Sequence, residues 1–307
     1  MKTKIITLLF TIIGMVSTAQ ITVYHGSVQR LEGFQSKYVQ SRNVDIWFPD
    51  GYSDKEKYPV LYMNDGQGVF DPSATWNQQA WKVDQAAGKL ISENKIQKVI
   101  VVAIWNNGSK RHSEYFPQKP FESLSKKTQD SLYSIFRDNK QPLFSAKVCS
   151  DNYLKFVVTE LKPFIDKTFS TKADAANTFI AGSSMGGLIS LYAICEYPEV
   201  FGGAACLSTH WPGAFFVKNN PIPDAFFAYM KAHLPDPKNH KIYFDYGDQT
   251  LDALYPPFQK KADVIMKDKG FTAENWITQF FPGKDHSENS WAERVHIPLE
   301  FLLKKQP

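Results

Sequence analysis

The chain has 307 residues, 43% hydrophobic and 14% aromatic, enough to bury one large core. Its formal charge is +4, and without Lys2 and Lys4 the remaining 33 basic and 31 acidic residues nearly cancel, which excludes an electrostatic footprint for nucleic acid. Cys149, Cys195 and Cys206 allow at most one pair, so a disulfide-stapled scaffold is excluded too, and the last two read as small buried hydrophobes.

Lys2 and Lys4 precede an apolar run from Ile5 to Val16 and then Ser17-Thr18-Ala19, the pattern of a secretory signal peptide over residues 1–19 with Gln20 as the mature start. About a dozen apolar residues fall short of the ~20 that span a bilayer, so export to the periplasm or beyond is expected, without stable membrane insertion. The chain from residue 20 onward reads as one domain. Strand-like runs follow at Val44–Phe48, Pro59–Met63, Lys98–Ile104, Phe179–Ile180, Ala204–Leu207, Ile242–Phe244 and Ile277–Phe281. Helical patterns separate most of them, at about Gln78–Ser92, Asn152–Asp166, Gly187–Tyr197 and Ser290–Leu303. Strands alternating with helices of this length predict an α/β fold with a mostly parallel central sheet and helices on both faces. Between the third strand and the Asn152 helix lies a polar, proline-bearing insertion, about 106–149. It leaves the C-terminal side of a strand, where open sheets bind ligands, and so reads either as a partial lid or as a surface excursion.

The pentapeptide Gly182-Ser183-Ser184-Met185-Gly186 sits between a short β-type run and a buried helix stopped by Pro198. That is the strand-turn-helix setting of a nucleophilic serine, and the glycines allow the sharp, strained turn it needs. A serine hydroxyl needs a base, and in this setting the acid and then the histidine follow it in the chain. His286 ends the last predicted strand just before the final helix, so it would project from the same sheet edge as Ser184. His210 also leaves a strand end and could line a pocket, but it precedes the expected acid. The acid falls in the loop after Ile242–Phe244, where Asp252 is the first choice and Asp248 the second, because Asp248 directly after Gly247 suits a turn. Two backbone N–H groups complete such a site. Met185 supplies one, and Gln67, in the loop after Pro59–Met63, is preferred over Gly66 for the other. Trp76, Trp105, Trp211, Phe215, Phe216 and Tyr255 lie near predicted strand ends and could stack on sugar or aryl rings. Of these, Trp76 and Trp211, with His210, are the candidate substrate-binding residues.

The runs Tyr58–Tyr62 with Asp65-Gly66-Gln67, Trp81–Asp84, Arg111 with Glu114-Tyr115, Tyr153–Phe156, Glu160–Pro163, Gly182–Gly187 and His286-Ser287-Glu288 together resemble the esterase D-like esterase family. The resemblance covers about residues 30 to 303. It implies the α/β-hydrolase fold, Ser184 as nucleophile, His286 as base and acyl chemistry with no metal and no organic cofactor. Members include feruloyl and acetylxylan esterases, S-formylglutathione hydrolase, siderophore esterases and mycolyltransferases. Many place the acid about three residues after the glycine, whereas here Asp248 is one and Asp252 five after Gly247. With export, the resemblance implies a serine esterase for small-molecule or carbohydrate esters, such as acyl or feruloyl groups on polysaccharide. The alternatives are an enterobactin-type siderophore esterase, an acyltransferase, or a non-catalytic binding protein of the same fold. Neither oligomeric state nor the ester itself is written in these residues.

Overall fold

The computed structural model describes residues 21–137, 140–214 and 219–305. The expected signal peptide, Phe215 and Phe216 lie outside the described residues. Eight strands form one sheet: β1 (Ser27–Phe34), β2 (Arg42–Phe48), β3 (Val60–Asn64), β4 (Ile100–Ile104), β5 (Thr178–Ser183), β6 (Gly203–Leu207), β7 (Lys241–Tyr246) and β8 (Trp276–Phe280). Their order is β1-β2-β4-β3-β5-β6-β7-β8. From β4 to β8 all neighbours are parallel, while β1 and β2 form an antiparallel edge.

The central strands are apolar throughout because both faces of the sheet are covered. Successive residues alternate between two core clusters. Val60, Tyr62, Val102, Ile104 and Ile180 pack on one face, and Leu61, Met63, Val101, Ala103, Phe179 and Ala181 on the other. The register aligns Ser183, Leu207, Asp245 and Gln279 in one row across β5 to β8. The loops leaving that row therefore emerge side by side along one edge. All three cysteines are free thiols, with Cys195 and Cys206 buried.

Several elements differ from the expected ones for local reasons. β1 went unread because its alternate positions are polar and exposed and it contains Gly33, as suits an edge strand. The helix expected from Gln78 starts at Val83. Before it, Trp81 N–H and Val83 N–H donate to the carbonyls of Gly68 and Val69, which draws the chain into a loop with Gln78 and Lys82 left-handed. The helix around Asn152–Asp166 extends from Ser150 to Thr168 through a π-helical stretch at Phe156–Leu161. The final helix is divided at Val295 into Glu288–Arg294 and His296–Leu303. Pro298 cannot donate to the carbonyl of Arg294 and its ring crowds that carbonyl, so the break falls there.

Segment 106–149 forms short helices at Arg111–Tyr115, Gln118–Ser123 and Lys126–Tyr133. Its aromatic residues Phe116, Phe121 and Phe144 are buried and pack on one another. Glu114, from the first of these helices, receives two hydrogen bonds from Arg42 of β2, at 2.9 and 2.8 Å, with the side chains only 3% and 1% exposed. Breaking such a pair leaves a charge buried without its partner. Arg42→Met is expected to lower the unfolding free energy by about 3–5 kcal/mol. Arg42→Met combined with Glu114→Leu should recover most of that loss, as read from urea unfolding of both variants.

Candidate active site

Ser184 follows the last residue of β5 and caps the helix Met185–Glu196, with φ 57° and ψ −121°. An L-residue adopts that conformation only under constraint, and the constraints are visible. Ser184 N–H donates to Leu207 O at 2.9 Å, and its own carbonyl accepts from His210 N–H at 3.2 Å. A side chain on Gly182 would meet the carbonyl of Gly186 at 2.7 Å, so only glycine lets strand and helix close at this turn. Of the two adjacent serines, Ser183 is buried within β5 and Ser184 is partly exposed beyond it.

His286 stands at the same edge, in the loop after β8. Its Nδ1 lies 2.6 Å from Asp252 Oδ1. Its ring packs edge-on against Trp291 and Tyr255, with centroids 5.0 and 5.8 Å away. The peptide N–H of His286 donates to Thr250 Oγ1 at 3.0 Å, and Thr250 is itself left-handed at φ 54°. Asp252 is fully buried and its other oxygen accepts from Ser208 Oγ at 2.6 Å and Gly247 N–H at 2.7 Å. Ser208 Oγ in turn accepts from Arg294 Nη2 at 2.8 Å and Trp291 Nε1 at 3.0 Å. Arg294 also donates to Asp245 at 3.0 Å. Burial pushes Asp245 up to about 6 against the opposing pull of Arg294.

Asp248 takes the other part considered for it. Its carboxylate accepts from Gly283 N–H at 2.7 Å and Gln249 Nε2 at 2.9 Å, so it ties the loop after β7 to the loop after β8. Those loops touch so closely that a side chain on Gly247 would lie 2.0 Å from Lys284 O.

Met185 is the first residue of its helix, where N–H groups have no intrahelical acceptor. Gln67 sits in a short 3₁₀ turn, Gly66–Gly68, directly after β3. Among the aromatic candidates the structure corrects Trp211: it is fully buried, packs on Phe227 and Phe244, and donates from Nε1 to Gln259 at 3.0 Å. A core position of that kind offers no face to a ligand. His210 is buried as well, with Nδ1 2.9 Å from the Tyr255 hydroxyl, and burial holds its pKa well below the ordinary histidine value. Trp105 donates to Asp45 and is covered by Arg30. Trp76, by contrast, is 94% exposed. Its loop is joined to the start of the Glu288 helix through Asn77 Nδ2, which donates to Glu288 at 2.8 Å. Sequence reasoning missed Ser208, Thr250 and Arg294, none of which carries a local signal. No group of His, Cys, Asp or Glu among the described residues is arranged to hold a metal ion.

The chain order of Ser184, Asp252 and His286, on a sheet of this topology, is that of the α/β-hydrolases. The chain belongs to the family described as "Putative esterase", which it matches over residues 36–296. An endo-1,4-beta-xylanase/feruloyl esterase of Xylanibacter ruminicola is 27% identical over 292 residues, covering 92% of this chain and 32% of that protein. The chain thus spans about a third of that relative's length. Among solved structures, a ferulic acid esterase from the anaerobic fungus Anaeromyces mucronatus superposes with a TM-score of 0.60 at 16% identity, covering 93% of this chain and 92% of that one. The ferric enterobactin esterase of Salmonella typhimurium gives 0.65 at 18% identity, covering 92% of this chain and 59% of that one. At these identities the superpositions establish the shared fold.

The hydrogen bond from His286 Nδ1 to Asp252 dictates which ring nitrogen carries the proton in neutral imidazole. Asp252→Asn is expected to change that tautomer in ¹⁵N-resolved NMR of His286, and Asp248→Asn to leave it unchanged. A change on altering Asp248 alone would transfer the orienting role to that residue.

Proposed function

We propose that this chain is an exported serine carboxylic-ester hydrolase that works through an acyl-enzyme on acyl or feruloyl esters of carbohydrates. The observation that carries the reading is the strained, partly exposed Ser184 on the same sheet edge as the His286–Asp252 pair at 2.6 Å. In the first half-reaction Ser184 Oγ attacks the ester carbonyl while His286, through the nitrogen not bonded to Asp252, takes the serine proton. The N–H groups of Met185 and Gln67 receive the oxyanion. His286 then returns the proton to the departing alcohol, and water repeats the sequence in reverse to free the acid. Asp252 holds the imidazole in one tautomer and stabilises its cation.

The substrate class is supported by the Xylanibacter relative, an endo-1,4-beta-xylanase/feruloyl esterase, and by the Anaeromyces structure, a ferulic acid esterase. It is also supported by Trp76, whose open ring stands on a loop bonded to the segment that follows His286 and suits stacking on a sugar or aryl group. Lys2, Lys4 and the apolar run after them support export. No helix among the described residues is long and apolar enough to cross a membrane. A siderophore esterase would use the same serine, histidine and acid, and the Salmonella structure keeps that reading in view.

Ser184→Ala is expected to abolish hydrolysis of p-nitrophenyl acetate and labelling by a fluorophosphonate while leaving the far-UV circular dichroism unchanged. Wild-type turnover in that variant would overturn the reading. With the wild-type protein, methyl ferulate and feruloylated arabino-oligosaccharide should be cleaved with a higher kcat/KM than enterobactin. Trp76→Ala should raise KM for the feruloylated sugar while sparing the acetate.

A further inference from the structure

The loop after β3 is organised around an acidic side chain for which acyl transfer has no direct use. Asp65 is left-handed, φ 58° and ψ 44°, immediately before the turn that carries Gln67. Its carboxylate accepts two hydrogen bonds from Arg111, from Nε at 2.6 Å and Nη2 at 2.7 Å, and a third from Asn106 Nδ2 at 2.7 Å. Its own N–H donates to the Tyr115 hydroxyl at 3.2 Å, and the Arg111 guanidinium lies 5.2 Å from the centre of the Tyr115 ring. Asn106 N–H donates to Gln67 Oε1 at 3.2 Å. On the other side, a side chain on Gly186 would sit 3.1 Å from Asp65 Oδ2, so the carboxylate lies against the turn that bears Ser184. One anion thus joins the loop of Gln67, the start of segment 106–149 and the serine elbow.

We propose that Asp65, gripped by Arg111, is a positioning residue that sets the distance between the N–H groups of Gln67 and Met185. The inference rests on the reading of Ser184 as nucleophile and of these two groups as the oxyanion donors. Such donors act because they are already in place when charge develops, and small displacements weaken them steeply. The pair is 20% and 23% exposed, so solvent screens part of its attraction. A bidentate guanidinium–carboxylate contact instead supplies direction, since the planar fork admits few orientations. Asp65 raises the pKa of Arg111 against the desolvation that opposes it, so the fork stays charged at working pH. The carboxylate of Asp65 is then held by three donors from one neighbouring segment, and its N–H by Tyr115 of the same segment.

The test uses Asp65→Asn, Arg111→Met, the double variant and Arg111→Lys in the full chain. Each of the first two is expected to lower kcat for p-nitrophenyl acetate by about 10- to 100-fold, on the scale of impairing one oxyanion donor. KM should stay within about twofold. Binding of phenylboronic acid, which forms a tetrahedral adduct on the serine, should weaken by the same factor as kcat. The double variant should be no worse than the poorer single one, and Arg111→Lys should fall between, because its point charge lacks the fork. A rise in KM with kcat unchanged would make Asp65 a substrate contact and overturn the proposal. So would additive losses, or losses that track a fall in melting temperature. If Asp65→Asn does not fold, the two Arg111 variants decide by the same criteria. An inactive Ser184→Ala beside a fully active Asp65→Asn rejects only this inference, whereas an active Ser184→Ala rejects the reading of the site itself.

Discussion

The backbone of one residue, Ser184, is the constraint around which the rest of this structure is arranged. A non-glycine residue at φ 57° and ψ −121° costs on the order of 1–3 kcal/mol, which the surroundings must offset. They do so through β6. Leu207 accepts the N–H of Ser184, and His210 donates to its carbonyl, so the end of one strand grips the turn after its neighbour from both sides. Of the two residues between these grips, Ser208 is left-handed at φ 42°, and its hydroxyl reaches Asp252 at 2.6 Å. The contact that stabilises the serine elbow is therefore continuous with the contact that places the acid, and the two cannot be adjusted independently.

Beneath the site lies a charge arrangement of unusual density. Asp245 and Asp252 are both fully buried, and the single guanidinium of Arg294 stands 3.0 Å from one and 3.9 Å from the other. Two carboxylates thus share one cation, which pulls against the burial of both. His286, Ser208 and Gly247 converge on Asp252, at 2.6, 2.6 and 2.7 Å. Asp245 has Arg294, Ser208 N–H and the Tyr243 hydroxyl, and still burial raises its pKa. Arg294 comes from the helix directly after the His286 loop, so one short stretch of chain brings both the histidine and the cation next to Asp252.

The central strands were legible because both faces of the sheet are covered, which makes each of them a short continuous apolar run between turn residues. The elbow was legible because close strand-to-helix packing demands glycine at fixed positions, and His286 because the last strand and last helix bracket it. The pairing of His286 with Asp252, and of Asp248 with Gly283 N–H, agrees with the expectation that a residue directly after a glycine serves the turn. What stayed hidden depends on contacts between distant segments. The break in the final helix comes from one proline, β1 is half-polar, and Ser208, Thr250 and Arg294 act through partners 36 to 86 residues away in the chain. Trp211 misled for a similar reason: closeness to a strand end says nothing about whether a ring turns toward solvent or toward Phe227 and Phe244.

A site built this way separates chemistry from recognition. Asp252, Ser208 and Arg294 are enclosed, so in the proposed reaction they meet a substrate only through Ser184 and His286. Discrimination must come from loops around the edge, and two of those are bonded to the reacting elements. The loop of Trp76 is fastened to the helix after His286 by Asn77 and by Gln79, which accepts from Asn289 N–H at 3.4 Å, and segment 106–149 is fastened to the Gln67 loop by Arg111 and Asn106. A ligand that bears on either loop therefore reaches the His286 segment or the Gln67 turn through a few hydrogen bonds. In the proposed reaction, binding energy from parts of a substrate remote from the ester would have a direct mechanical route to Ser184 and His286, which is the condition for such energy to raise kcat rather than only lower KM.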